Sequence, residues 1–230
     1  MQFKRYTVAN CHEIRGTAVV IDVLRAFTTA AFAFNRGAVK INLVASIEEA
    51  FALQKQKPHA VLMGESGGLP IEGFTYGNSP AQIATADLQD KEIIQRTSAG
   101  TPGVVGSVHA DALLTGSFVC AQAIANYLRQ MQPEAVSFVI TGMRPDRKAD
   151  EDVACADYLQ ALLQGDAPEP EPFLQRVRDS RNGRIFLSPE HPQFPAADVA
   201  CATQLDRFDF VMRVTREDGL PIMRTVHIKE

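Results

Sequence analysis

The sequence predicts an α/β protein, a mainly parallel or mixed sheet with helices on both faces, closed by a C-terminal β-hairpin. Three observations predict it. Short apolar, β-branched runs alternate with helical patterns along most of the chain. Helix caps and turn residues mark the changes between them. Near the end, two strand-like runs flank Asp218-Gly219, a hairpin dipeptide.

Taken in order, Ala18-Val19-Val20-Ile21 reads as a buried strand, and residues 26–35 as a helix closed by Gly37. Residues 40–44 read as a strand. Residues 46–55 form a helix with Ser46 as cap and Glu49 as its capping-box partner. Val61 to Met63 is the next strand, followed by a long glycine-rich loop and a helix over 80–88. Residues 92–96 and 112–114 are strand-like, 119–130 helical, 136–140 a strand, and 151–163 an amphipathic helix. Residues 166–172, acidic and proline-rich, read as an extended surface connection. Residues 173–179 are helical, and the hairpin pairs 210–215 with 222–228. Residues 1–230 are taken as a single domain, with two lobes joined near 166–172 as the alternative division.

Composition narrows the class. With 230 residues, 46% apolar and 22% charged, the chain has ample length for a core. A net charge of −4 argues against a nucleic-acid partner. No apolar run approaches the length of a membrane span, and no signal-peptide core follows Met1. Cys11, Cys120, Cys155 and Cys201 are scattered and form no CxxC pair, so buried thiols are expected. A cytoplasmic location is the expectation that follows.

The loop over 64–80 carries the most functional information. It holds five of the chain's 15 glycines, with Glu65 and Glu72 among them. It ends in Asn78-Ser79-Pro80, where Ser79 can cap a helix that opens on Pro80. Glycines let backbone N–H groups approach a ligand, and helix N-termini attract anions. Carboxylates beside such a loop repel a bare anion, so the combination points to a divalent cation and a phosphorylated substrate.

Other strand ends repeat the theme. Asp22 and Arg25 follow the 18–21 strand, Glu65 the 61–63 strand, Thr97 to Thr101 the 92–96 strand, and Thr141-Gly142 the 136–140 strand. Ligands gather at the carboxyl ends of parallel strands. Each residue also has a plainer reading. Asp22 or Ser98 can be helix caps, and Glu151 and Asp152 can simply complement a helix dipole. Phosphate-loop, serine-elbow and paired-histidine zinc motifs are absent, and Asp22-Val23-Leu24 lacks the second aspartate of haloacid-dehalogenase-type phosphatases.

These stretches together resemble the 2-phosphosulfolactate phosphatase family of coenzyme M biosynthesis. The match runs through Asp22-Val23-Leu24-Arg25-Ala26, Thr28-Thr29, Gly64-Glu65, Gly67-Gly68, Ile71-Glu72-Gly73-Phe74, Gly77-Asn78-Ser79-Pro80, the 97–101 turn, Gly116-Ser117-Phe118 and Glu151-Asp152. Ser66 departs from the family's arginine, and Ser98-Ala99 from its Thr-Asn. The resemblance implies a Mg2+-dependent phosphatase for phosphate esters of small 2-hydroxycarboxylic acids, often a homodimer. Asp22, Arg25 and Glu65 are the expected catalytic residues, and Asp22, Glu65 and Asp152 the expected metal ligands. Gly67, Gly68, Asn78, Ser79, Thr97, Ser98, Gly100 and Thr101 are expected to bind the substrate. The rival reading is a binding protein for a phosphorylated or dicarboxylic metabolite, motivated by Ser66, because serine cannot replace an arginine clamp.

Overall fold

The structure is a computed structural model and describes residues 1–227. Its strands are β1 (Gln2–Thr7), β2 (Thr17–Ile21), β3 (Lys40–Val44), β4 (Val61–Ser66), β5 (Leu69–Pro70), β6 (Glu92–Arg96), β7 (Ala112–Gly116), β8 (Ala135–Ile140), β9 (Phe210–Glu217) and β10 (Leu220–His227). Its helices are α1 (Ala26–Asn35), α2 (Ile47–Gln56), α3 (Pro80–Ile83), α4 (Gly100–Gly106), α5 (Ala121–Met131), α6 (Asp150–Gln164), α7 (Glu171–Asp179), α8 (Arg181–Leu187) and α9 (Ala196–Ala202). Among the described residues, no helix is long and apolar enough to cross a membrane.

The strands form one mixed sheet in the order β1-β8-β2-β7-β9-β10-β3-β6-β4-β5. The predicted hairpin is present, with Asp218 and Gly219 both at positive φ as a tight turn requires. Ile228 lies outside the described residues. The hairpin does not cap an edge. It sits mid-sheet, antiparallel to β7 on one side and to β3 on the other. The parallel strands therefore fall into two groups, β1-β8-β2-β7 and β3-β6-β4, which run in opposite senses along the sheet.

A flat sheet of this kind would place Asp22 and Glu65 at opposite edges. Twist removes the conflict. Five strand-to-strand steps separate β2 from β6, and at 20–25° per step the directions turn by roughly 100–125°. The sheet coils far enough that α4, which follows β6, packs on both β2 and β3. The carboxyl ends of the two groups thus meet across α1 and α4.

Local chemistry explains most elements. Every residue of β2 is buried, which suits a strand covered on both faces. The capping box at Ser46 and Glu49 forms as expected. Three features differ from expectation. The helix at Pro80 lasts only to Ile83, and the 97–101 turn runs directly into α4. The extended 166–172 connection ends at Glu171, where α7 begins and packs on α6. All four cysteines are buried and free.

Gly64 is held by its surroundings. A Cβ there would stand 1.9 Å from the Arg96 carbonyl oxygen, inside any allowed contact. Gly64→Ala must part β4 from β6, with an expected cost of about 3 kcal/mol. Chemical denaturation of the purified variant measures this; a stability equal to wild type contradicts the close approach.

Candidate active site

Asp22 ends β2 and has two jobs. Its Oδ1 accepts from the Ala26 N–H at 3.0 Å, satisfying the first turn of α1. Among the described residues no N–H reaches Oδ2, and Asp22 lines a cavity of about 440 Å3. The capping reading of Asp22 is thus present on Oδ1. Gly100 lies directly beneath it, where a Cβ would stand 2.8 Å from Asp22 Oδ2 and 2.6 Å from the Ala26 Cβ. Only glycine lets α4 start this close.

Four carboxylates gather around this point, and all are buried: Asp22, Glu65, Glu151 and Asp152. Asp22 is pushed up to about 6 by burial, with Glu65 and Glu151 adding to the rise and the Ala26 N–H and Thr141 hydroxyl opposing it. Asp152 is pushed well above the usual carboxylate range by burial first, then by Asp22 and Glu151. With divalent metal well below saturation, activity that depends on ionised Asp22 is expected to fall as pH drops through about 6, where the metal-free carboxylate takes up its proton. A pH profile of phosphate release checks this, and a profile flat from pH 5 to pH 8 contradicts it.

The other carboxylates are occupied. The Val23 N–H donates to Asp152 Oδ1 at 2.8 Å and the Gly142 N–H to Oδ2 at 2.9 Å. Asp152 therefore ties the ends of β2 and β8 together. Glu65 accepts from the Gly68 N–H, the Ser98 N–H and the Ser98 hydroxyl, so it braces the glycine loop against the end of β6. Among the described residues, no three His, Cys, Asp or Glu side chains are grouped as a metal shell. Of the expected trio, Glu65 and Asp152 are engaged by backbone N–H groups and Asp152 does not line the cavity, while Asp22 keeps one oxygen that no N–H reaches among the described residues.

Arg25 is buried and lines the same cavity as Asp22. Its Nη1 donates to Asp198 Oδ2 at 2.9 Å and its Nη2 to the Gly68 carbonyl at 2.8 Å. Its guanidinium carbon sits 4.8 Å from the centre of the Phe186 ring and 5.9 Å from that of Phe194. Two of five N–H donors are used, so the rest remain for a ligand. Asp198, fully buried on α9, also accepts from the Ser79 hydroxyl at 2.6 Å and the Ala81 N–H at 3.2 Å.

The expected substrate-binding residues divide. Gly67, Gly68, Asn78 and Ser98 line the cavity. Asn78 Oδ1 is buried without a partner among the described residues, an acceptor open to a donor or a cation. The two glycine N–H groups, expected to cradle a phosphoryl group, are instead spent on Ser98 Oγ and Glu65. Thr97, Ser79, Gly100 and Thr101 do not line the cavity. Each threonine hydroxyl accepts the other's N–H, so the pair caps the β6–α4 junction. Ser79 caps α3 and braces Asp198. Glu72 and Ser66 are exposed and off the cavity wall.

Sequence reasoning missed Asp198, which holds Arg25 from behind, and Phe186, Phe194, Asn182, Arg144, Arg147 and Arg181, which complete the wall. Only Arg144-Pro145-Asp146-Arg147 carried a signal, a proline-led turn just past the end of β8.

Carboxylates, arginines and an amide thus meet at the strand ends of a coiled α/β sheet, a set of groups able to hold an anionic ligand. A family model described as 2-phosphosulpholactate phosphatase matches residues 5–217. A Bacillus subtilis protein named "Probable 2-phosphosulfolactate phosphatase" is 33% identical over 211 residues, 91% of this chain and 92% of its own. A Carboxydothermus hydrogenoformans protein of the same name is 41% identical over 145 residues, 63% of this chain and 59% of its own. One from Prochlorococcus marinus is 30% identical over 217 residues, 84% and 87% of the two chains. The chain belongs to the 2-phosphosulfolactate phosphatase family.

Proposed function

We infer that the protein is a Mg2+-dependent phosphatase that cleaves phosphate esters of small 2-hydroxycarboxylic acids, 2-phosphosulfolactate among them. The observation that carries this reading is Asp22, a buried carboxylate with one oxygen fixed on α1 and the other reached by no N–H among the described residues, in the lining of a cavity that Arg25 also lines. The phosphoryl group sits between them. Arg25 offers its spare N–H donors to the phosphoryl oxygens, and its ion pair with Asp198 keeps it from collapsing onto Asp22. Asn78 lines the same cavity, and its unpartnered Oδ1 accepts a hydrogen bond from a water of the metal's shell.

The residues fit magnesium in the form it usually takes, one or two carboxylates with waters and substrate phosphate completing the shell. Asp22 Oδ2 is the available oxygen, and the crowding of Glu65 and Glu151 that raises its proton affinity is what a bound cation relieves. Glu65 and Asp152 act behind it, holding the loop and the strand ends. Bound there, Mg2+ supplies Lewis-acid polarisation of the phosphoryl group. The binding-protein alternative loses its motive, because Ser66 is off the cavity wall and four arginines supply cations instead.

The test is phosphate release from 2-phosphosulfolactate and 2-phospholactate by the purified chain. Release with Mg2+ that stops in excess EDTA is expected. Release unchanged by EDTA removes the metal from the reading, and no release from either ester removes the phosphatase reading itself.

A further inference from the structure

A second cavity, of about 620 Å3, adjoins the one that holds Asp22. It lies past the carboxyl ends of β1 and β8, and β8 is the direct neighbour of β2, the strand that ends in Asp22. Ligands gather at this edge of a parallel sheet. Ser98, Ala99 and Arg144 line both cavities, so the two share a wall. Thr141 links them as well. It lines the second cavity, and its hydroxyl donates to the carbonyl of Ile21, one residue before Asp22, at 2.9 Å.

The two cavities differ in chemistry. The first is lined by Asp22, Glu65 and Arg25. The second is walled by Val8, Ala9, Ala99, Met143 and Pro145, and among the described residues no carboxylate lines it. Its three hydroxyls are already engaged. Thr7 Oγ1 donates to Asn10 Oδ1 at 3.2 Å, Ser98 Oγ to Glu65 Oε2 at 3.0 Å, and Thr141 Oγ1 to the Ile21 carbonyl. A hydroxyl has one proton to donate, so these walls offer methyl and methylene groups rather than donors. Met143, half-buried, is a side chain that repacks around ligands of different shape. The volume falls in the range of small-molecule pockets, about 300–1,000 Å3.

Resting on the phosphatase reading, we propose that this cavity is a second compartment of the substrate site and takes an apolar side group carried on the β-carbon of the 2-hydroxy acid. The phosphoryl end stays with Asp22 and Arg25. The side group passes Ala99, the smallest side chain of the shared wall. Burying it there removes apolar surface from water, so the chain prefers esters of aryl- or alkyl-bearing 2-hydroxy acids to that of lactate itself.

Two esters that differ by one phenyl ring test it, 2-phospholactate and 2-phospho-3-phenyllactate. In wild type, kcat/KM is expected to be about tenfold or more higher for the phenyl ester. Ala9→Trp and Pro145→Trp locate the effect. Both residues are exposed, so the indole is tolerated, and each fills the compartment from a different strand end. Either variant brings the ratio of the two kcat/KM values close to one. Calorimetric titration with 3-phenyllactate and with lactate repeats the comparison without turnover. Where neither ester is hydrolysed, tighter binding of phenyllactate that both variants remove supports the compartment, and the phosphatase reading alone falls. Equal wild-type affinity for the two acids then overturns the compartment. Where the esters are hydrolysed, equal wild-type kcat/KM overturns it, even if phenyllactate binds. A wild-type preference that both variants leave intact overturns it too.

Discussion

Asp22→Asn is expected to abolish phosphate release while making the protein more stable at pH 7. The activity loss is on the order of a thousandfold or more, the scale seen when a preorganised charge is removed from the reacting centre. The stability gain follows from the same carboxylate. Asp22 titrates at about 6 in the folded chain against 3.8 as its ordinary value, with burial as the first cause. The folded state therefore binds this proton more tightly than the unfolded state. The stability from protonated Asp22 is full below pH 3.8 and is lost as pH rises through about 6. At pH 7 the folded chain carries a disfavoured charge, worth up to about 3 kcal/mol. Asparagine keeps the shape and removes the charge. Thermal melts without metal should show Asp22→Asn above wild type at pH 7 and level with it near pH 4. Mg2+ should raise the wild-type melt at pH 7 and leave the variant where it is. A variant that melts below wild type at pH 7 would show that Asp22 contributes to folding rather than opposing it.

Arg25→Ala is expected to cause the largest loss of stability of any single change at the site. It leaves Asp198, fully buried, with only the Ser79 hydroxyl and the Ala81 N–H for partners. Removing one member of a buried ion pair costs about 3–5 kcal/mol, because the other is left as an uncompensated charge. For a chain of 230 residues this lowers the melting temperature by roughly 10–15 °C. The cation also stacks on Phe186 and Phe194, so the loss includes packing of α8 and the segment before α9. Arg25→Met with Asp198→Leu removes both charges and should recover much of the stability, because a well-packed apolar pair can replace a buried ion pair. Activity should not return, since the phosphoryl end has lost its guanidinium. A single variant as stable as wild type contradicts the structural role given to the Arg25–Asp198 pair.

How legible each part was depended on whether its cause is local. The β2 strand and Asp22 at its end were readable, because a short apolar run ending in a lone polar residue is a local pattern. The hairpin was readable from Asp218-Gly219, but its place in mid-sheet was not, since nothing local says which strands it will join. The β1 strand was hidden because Gln2–Thr7 lies at the sheet's edge and carries polar residues in a mixed pattern. The α9 helix was hidden because Asp198 in an Ala-Ala-Asp-Val-Ala run looks like a solvent-facing acid, and only tertiary packing buries it against Arg25. Hydroxyls at a strand end suggested ligands at Thr97 and Thr101. They instead satisfy each other's backbone at a junction that offers the first turn of α4 no other cap. Three of the four arginines of the cavity wall, Arg144, Arg147 and Arg181, come from 120 or more residues beyond Asp22 in sequence, and the coil of the sheet and the packing of α8 assemble them.

The most direct test is a crystal of the protein grown with Mn2+ in place of Mg2+ and with phosphate, read by the metal's anomalous signal. The expected result is one metal coordinated by Asp22 Oδ2, with phosphate between it and the Arg25 guanidinium. A metal bound elsewhere, with Asp22 contacting neither ion, contradicts the assignment of this cavity as the phosphatase site.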